Sequence, residues 1–327
     1  MFQRRFAMIM KSRSKPIRIL QIEALLRRLP DYHRKRAEIE VDYRNGLSGF
    51  NGEKQLDYYL SFLPGKDFRI YNDLRFILHT PFQIDSLLIT PFFAGIIEVK
   101  NYSGTLSFEP ISDQLIQKHG QKEKVIPNPV SQVLRQVSQF KEWLLKEKFP
   151  ELPIEYFVAI TNPATYIKTE KENSFILKRV VHTEKIIDRL MDAKSKYNKQ
   201  ILWPTDINRL NEKIMCKNSP LDNNILNTYG INRKDLLRGV QCHSCKSFAV
   251  VRKDGKWCCL KCKMISRTSH MEAITDYLLL FNSKITNKEC RDYLNLESRH
   301  TAYRILKSLN LSGDGPAKKR IYSKVNV

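Results

Sequence analysis

Residues 82–102, FQIDSLLITPFFAGIIEVKNY, constrain the fold more than any other stretch of this 327-residue chain. They read as two β-strands, 82–89 and 93–101, joined by the short Thr90-Pro91-Phe92 turn, and therefore as a hairpin. Side chains alternate faces along a strand, so Gln83 and Asp85 share one face of the first segment, and Glu98 and Lys100 share one face of the second. Pairing the segments collects two carboxylates and an amine on one sheet face. Such a group is costly to desolvate without a compensating cation, and oxygen ligands of this kind suit Mg²⁺ or Mn²⁺.

Four blocks in order carry a resemblance. GLSGFNGE ends at Glu53, QIDSLLI holds Gln83 and Asp85, IIEVKNYSG holds Glu98, Val99 and Lys100, and Asn128-Pro129-x-x-Gln132 follows. Together they resemble the PD-(D/E)xK nuclease core in its nuclease-related form, NERD, over residues 46–163. The resemblance implies an α/β fold, a restriction-endonuclease-like mixed sheet flanked by helices, and hydrolysis of DNA phosphodiester bonds. It also implies that Asp85, Glu98 and the Val99 carbonyl hold Mg²⁺ or Mn²⁺, and that Lys100 orients water or stabilises charge on the phosphorane. Glu53 would join the metal's outer shell or a second metal, and Gln83 and Gln132 would position phosphate or water. Lys100 lies near two acids and should stay protonated, which favours an electrostatic role over that of general base.

The residues around these blocks give a coarse layout. Apolar positions at helical spacing over 17–29, and a further stretch over 32–43, make residues 1–46 a basic helical extension, expected to pack on the nuclease core in preference to acting as a dedicated DNA-binding arm. Gly46, Gly49 and Gly52 are expected to break that pattern before a helix over 52–63, where Glu53 is either an ordinary first-turn charge or a site acid. Residues 68–78 read as a strand preceding the hairpin, and 105–108 as a strand following it. Residues 109–127 read as a polar connector or a lid. Asn128-Pro129 caps a helix over 130–146. Residues 155–161 and 175–181 read as strands, and 183–197 and 207–214 as helices. The nuclease-like domain then spans 47–217 and a polar linker spans 218–239.

Five of the seven cysteines fall within 21 residues. Cys242-x-x-Cys245 and Cys259-x-x-Cys262 flank VVRKDGKWC, whose Asp254-Gly255 is a hairpin turn signal, so 240–266 reads as a zinc ribbon with a structural, four-thiolate Zn²⁺. Cys258 competes with Cys259, but only Cys259 gives the second two-residue spacing. Residues 267–327 read as helices over 271–281, 286–294 and 298–309, the second opened by a Thr286/Glu289 capping box. The last two suggest a helix-turn-helix, winged-helix-like module. Arg299, His300, Tyr303, Arg304 and Lys307 decorate its third helix as DNA contacts, and residues 318–322 form a wing.

Charge agrees with a polyanionic partner: 56 Lys+Arg against 34 Asp+Glu gives a net charge of +22. The excess lies at the ends. Residues 1–46 carry 12 basic and 5 acidic groups and residues 246–327 carry 17 and 7, whereas 47–245 are nearly balanced at 27 and 22. DNA is the expected partner and RNA the weaker one. No stretch approaches the ~20 apolar residues of a membrane span, and the apolar run near the start is too short for a secretion signal, so a cytoplasmic protein is expected. The sequence leaves a homo-oligomer open. The competing reading is a non-catalytic nucleic-acid-binding or regulatory protein that uses the nuclease-like fold as a platform.

Overall fold

The computed structural model describes residues 8–63, 67–109, 112–169, 174–221, 224–281, 283–316 and 319–324. The elements begin with β1 (Met8–Lys11), α1 (Ile17–Arg28), α2 (Arg36–Leu60), β2 (Arg69–Ile77), β3 (Pro81–Ile89), β4 (Ala94–Lys100), β5 (Thr105–Phe108), β6 (Leu115–His119) and β7 (Lys122–Ile126). Next come α3 (Pro129–Lys146), β8 (Ile154–Ile160), β9 (Tyr166–Thr169), α4 (Ser174–Arg179), β10 (Val180–His182), α5 (Ile186–Lys196) and α6 (Pro204–Lys217). The rest are α7 (Ile225–Tyr229), β11 (Val250–Lys253), β12 (Lys256–Cys259), β13 (Ile265–Ser266), α8 (His270–Leu280), β14 (Lys284–Thr286), α9 (Asn287–Leu294), α10 (Arg299–Ser308), β15 (Leu311–Asp314) and β16 (Ile321–Lys324).

These elements divide into two compact units, residues 8–14 with 47–221, and residues 15–46 with 224–324. The described part of the extension expected over 1–46 is thus divided between the units, and α1 packs with elements of the second.

The first unit is built on a six-stranded mixed sheet in the order β1-β2-β3-β4-β8-β10. β2, β3 and β4 run as an antiparallel meander, while β1 joins β2, and β8 joins β4 and β10, in parallel. Parallel pairs require both faces covered, and they are. Val133, Val137, Phe140 and Trp143 of α3 and Ile207, Leu210 and Ile214 of α6 bury one face. Leu56 and Leu60 of α2 and Ile186, Leu190 and Ala193 of α5 bury the other. The Thr90 turn closes the β3–β4 hairpin as expected, with the Thr90 hydroxyl accepting from the Phe92 and Phe93 amides at 3.1 and 2.9 Å.

Three local expectations are corrected. First, α2 runs unbroken through Gly46, Gly49 and Gly52. Gly52 is there because a Cβ would lie 2.7 Å from the Thr161 hydroxyl and 3.2 Å from Asn101 Cβ, so close packing, and not a helix end, requires the glycine. Second, among the described residues of 109–127, two strands replace the expected loop. β6 and β7 join β5 and β9 in a second sheet, order β7-β6-β5-β9, whose Leu106, Phe108 and Leu115 enter the core. Third, the apolar stretch at 175–181 forms α4 before the short β10, because a brief apolar run carries no periodicity that separates helix from strand.

In the second unit, the part of the expected 218–239 linker from residue 224 onward holds α7 and buries Ile225, Leu226, Tyr229, Ile231 and Leu236 beside Ile22 and Leu25 of α1 and Leu29 just after it. Arg28 and Asp276 pair at 2.8 Å with side chains only 1% exposed. β11, β12 and β13 form a small antiparallel sheet, with Asp254 and Gly255 both at positive φ in its first turn, the geometry that Asp-Gly favours. α8, α9 and α10 pack with a second small sheet, order β14-β16-β15, and the Thr286/Glu289 capping box forms as expected. Of the expected wing, Lys318 lies outside the described residues, and Ile321 and Tyr322 belong to β16.

Candidate active site

β3 and β4 pair from Ile89↔Ala94 to Ser86↔Ile97. One further step in the same register sets Asp85 opposite Glu98, and there the backbone ladder stops. The Asp85 carboxylate takes over as acceptor, with the Val99 amide donating to Oδ2 at 2.9 Å. The β2–β3 ladder skips the same position between Asn72↔Ser86 and Leu74↔Ile84, with Asp73 at φ 52°. β4 stays held on its other side by β8 through Lys100↔Ile160. The strands therefore part at Asp85 and Glu98, leaving two carboxylates at the opening.

The helix α3 supplies the neighbours. Its N-terminus is fixed by Asn128, whose side chain accepts from the Val130 amide at 2.9 Å, and by Pro129 in the first turn. That start points Gln132 and Gln136, one turn apart, at the end of β4. Lys100 Nζ donates to Glu98 Oε1 at 2.6 Å and to Gln132 Oε1 at 3.0 Å, and Gln136 Nε2 donates to Glu98 Oε2 at 2.7 Å. The Glu98 side chain is 2% exposed, so both its oxygens are paired in a nearly closed space.

Glu53 approaches from α2. Arg13, just beyond β1, donates to Glu53 Oε2 at 2.6 Å, to both oxygens of Asp57 at 3.0 and 3.2 Å, to the Asp85 carbonyl at 2.9 Å and to Ser86 Oγ at 3.0 Å. Lys11 anchors the segment before it on the carbonyls of Asn72 and Asp73, each at 2.7 Å. Gln83 is exposed and donates to Asp73 at 3.3 Å, so its partner is Asp73 and not Glu98 or Lys100.

The electrostatics follow from enclosure. Burial pushes the Asp85 carboxyl well above the ordinary range, the Glu98 and Glu53 charges push it further, and the Val99 amide opposes them. Burial also raises Glu53 despite Arg13 beside it. Burial alone would lower Lys100, but the Glu98 charge and hydrogen bond outweigh it, so the ammonium is held protonated. Asp85, with one described hydrogen bond to its carboxylate, and Glu98, already shared between two donors, form an acid pair in need of positive charge. That donor set of carboxylate oxygens fits a hard divalent cation.

The second metal candidate is formed by sulfur. Sγ atoms of Cys242, Cys245, Cys259 and Cys262 all lie within 4.8 Å of one another, with Cys242–Cys262 and Cys245–Cys259 both at 3.6 Å. A tetrahedron with ~2.3 Å metal–sulfur bonds has edges of about 3.8 Å, so four thiolates here could hold Zn²⁺. Both knuckles share one geometry: the amides of Lys246 and Lys263 return to the carbonyls of Cys242 and Cys259 at 3.0 Å, each lysine at positive φ. Cys258 is outside the cluster.

The structure separates the five residues of the C-terminal helix. Arg299, His300 and Tyr303 line a cleft of about 740 Å³ with Lys288, Arg291 and Arg320. Arg304 lines a different one, with Arg252 and Asn295. Lys307 Nζ stands 6.0 Å from the Tyr303 ring centroid. Arg13, Asp57, Asp73 and Gln136 are the site residues that the sequence did not single out. Gln136 alone had a signal, lying one helical turn beyond Gln132.

The architecture is α/β, a mixed sheet flanked by helices and opened at an acid pair beside a lysine. Residues 48–161 match the family described as NERD, nuclease-related domain, so the chain carries a nuclease-related domain there. No curated protein and no solved structure matches the chain. Among the described residues, no helix is long and apolar enough to cross a membrane.

Proposed function

We propose that the protein is a divalent-cation-dependent nuclease that hydrolyses phosphodiester bonds of DNA. The observation that carries this reading is the parting of β3 and β4 at Asp85 and Glu98, with the Lys100 ammonium 2.6 Å from Glu98. Asp85, Glu98 and the Val99 carbonyl would hold Mg²⁺ or Mn²⁺, which when bound polarises the phosphate and acidifies a water. Lys100 is charged and pinned by Glu98 and Gln132, so it stabilises negative charge developing on phosphate oxygens and is not available as a base. Gln132 fixes the direction of that ammonium, and Gln136 fixes the Glu98 carboxylate. Cys242, Cys245, Cys259 and Cys262 would hold structural Zn²⁺ and supply a core that the ribbon's short strands lack.

A second reading is favoured by one observation. Among the described residues, Lys288, Arg291, Arg299, His300 and Arg320 line one cleft and none is ion-paired to an acid. Such a surface suits a phosphate backbone, through salt-sensitive and sequence-independent affinity. In the first reading it anchors the substrate; in the second, a non-catalytic nucleic-acid-binding protein, it is the functional site itself. Incubation with single-stranded, duplex and branched DNA and with RNA, in Mg²⁺, Mn²⁺ or chelator, decides between them. Metal-dependent cleavage of DNA supports the nuclease, whereas binding without cleavage of any polymer supports the platform.

A further inference from the structure

Arg13 lies outside the matched nuclease-related residues, yet it makes more polar contacts at the site than Asp85 or Glu98 does. Its side chain is 2% exposed, and all three guanidinium nitrogens donate: to Glu53, to both oxygens of Asp57, to the Asp85 carbonyl and to Ser86 Oγ. Ser86 Oγ in turn donates to Asn72 at 2.9 Å, and Lys11 fixes the chain two residues earlier on Asn72 and Asp73. A planar fork held in this way is a permanent fixture, because moving it would leave a buried charge and two carboxylates without partners.

Glu53 is therefore already engaged. Its Oε2 faces a guanidinium at 2.6 Å that is also tied to Asp57, the Asp85 carbonyl and Ser86, whereas the Lys100 ammonium on Glu98 is a single flexible group tied besides to Gln132. A metal ion placed on Glu53 would also meet the fixed positive charge of Arg13.

We propose that Arg13 is the resident counter-cation of this site, standing where a second divalent ion would otherwise sit, so that the centre takes one divalent cation, at Asp85 and Glu98. This rests on the nuclease reading and decides a point it leaves open: Glu53 is held by Arg13 as a positioning group and is not a metal ligand.

The test is Mn²⁺ titration of the zinc-loaded 327-residue chain, with free Mn²⁺ read from its paramagnetic resonance signal. The wild type should bind one Mn²⁺, and Asp85→Asn none. Glu53→Gln should keep one Mn²⁺ with affinity within about twofold, since a ligand is not being removed. Arg13→Gln should admit a second Mn²⁺, and Arg13→Lys, which restores the charge without the fork, should return the number to one. Two Mn²⁺ in the wild type, a loss of about tenfold or more in Glu53→Gln, or one Mn²⁺ in a folded Arg13→Gln would each overturn the inference. The Glu53→Gln result stands even if Arg13→Gln fails to fold. A wild type that binds no Mn²⁺ would remove the nuclease reading, and this inference with it, and is distinct from those three results.

Discussion

Gln136 donates its side-chain amide to Glu98 Oε2 at 2.7 Å, and Lys100 takes the other oxygen at 2.6 Å, so a nearly buried carboxylate is held from two sides by groups on two different elements. Replacing Gln136 with leucine, of similar size, leaves half of that carboxylate unsatisfied. The expected cost is about 1–3 kcal/mol. Urea denaturation of Gln136→Leu checks it, and a change within experimental scatter would mean that Glu98 finds another donor.

Two adjacent cysteines at the second knuckle should respond in opposite ways. Cys259→Ser removes a member of the sulfur cluster and should lower bound zinc from about one per chain to a small fraction and destabilise the ribbon, because metal affinity there is folding energy. Cys258→Ser, outside the cluster, should keep its zinc. Metal analysis of both purified variants reads the difference directly.

Two glycines of one helix should respond with opposite signs. A Cβ at Gly49 meets nothing within 4 Å, so Gly49→Ala should stabilise by about 0.5–1 kcal/mol through helix propensity. A Cβ at Gly52 would stand 2.7 Å from the hydroxyl of the buried Thr161, a short side chain with little room to retreat. Gly52→Ala should be net destabilising despite the better propensity. Thermal unfolding of the pair tests the contrast.

His270 gives the second unit a pH response. Its Nδ1 accepts from the Trp257 indole at 3.0 Å, so the imidazole is needed neutral, and burial first, then Arg252, lowers its pKa to about 4. The unfolded chain protonates this histidine near its ordinary 6.5. The contribution is therefore complete above about pH 6.5 and is lost as pH falls toward 4, to a total of about 3 kcal/mol. Comparing wild type with His270→Gln in excess Zn²⁺ isolates it from thiolate protonation: the wild type should lose the larger share of its stability between pH 7 and 5. Equal losses in the two proteins would remove His270 as the cause.

Much of the site was legible because strand pairing is a short-range rule. Once Thr90-Pro91-Phe92 closes a hairpin, alternation alone brings Asp85 across from Glu98, and the Thr286/Glu289 box and the Asp254-Gly255 turn are read in the same local way. What stayed hidden depends on distant partners. Gly52 looks like a helix breaker until Thr161 packs against it. The strand β7 is exposed along most of its length and shows no alternation to read. Arg13 is forty positions from Glu53, and nothing nearby in the sequence announces that an edge strand will deliver it. Gln83 shares a strand face with Asp85 yet reaches Asp73 on the neighbouring strand, a partner that alternation along one strand does not announce.

Whether Asp85 and Glu98 share a cation over a nucleic-acid phosphate is measured most directly by the rate of DNA cleavage in Mg²⁺ by wild type and Asp85→Asn, with DNA binding followed in parallel. A shared cation predicts cleavage that chelator abolishes, a fall of about a hundredfold or more in the variant, and unchanged binding. A variant that binds and cuts as well as the wild type would contradict it.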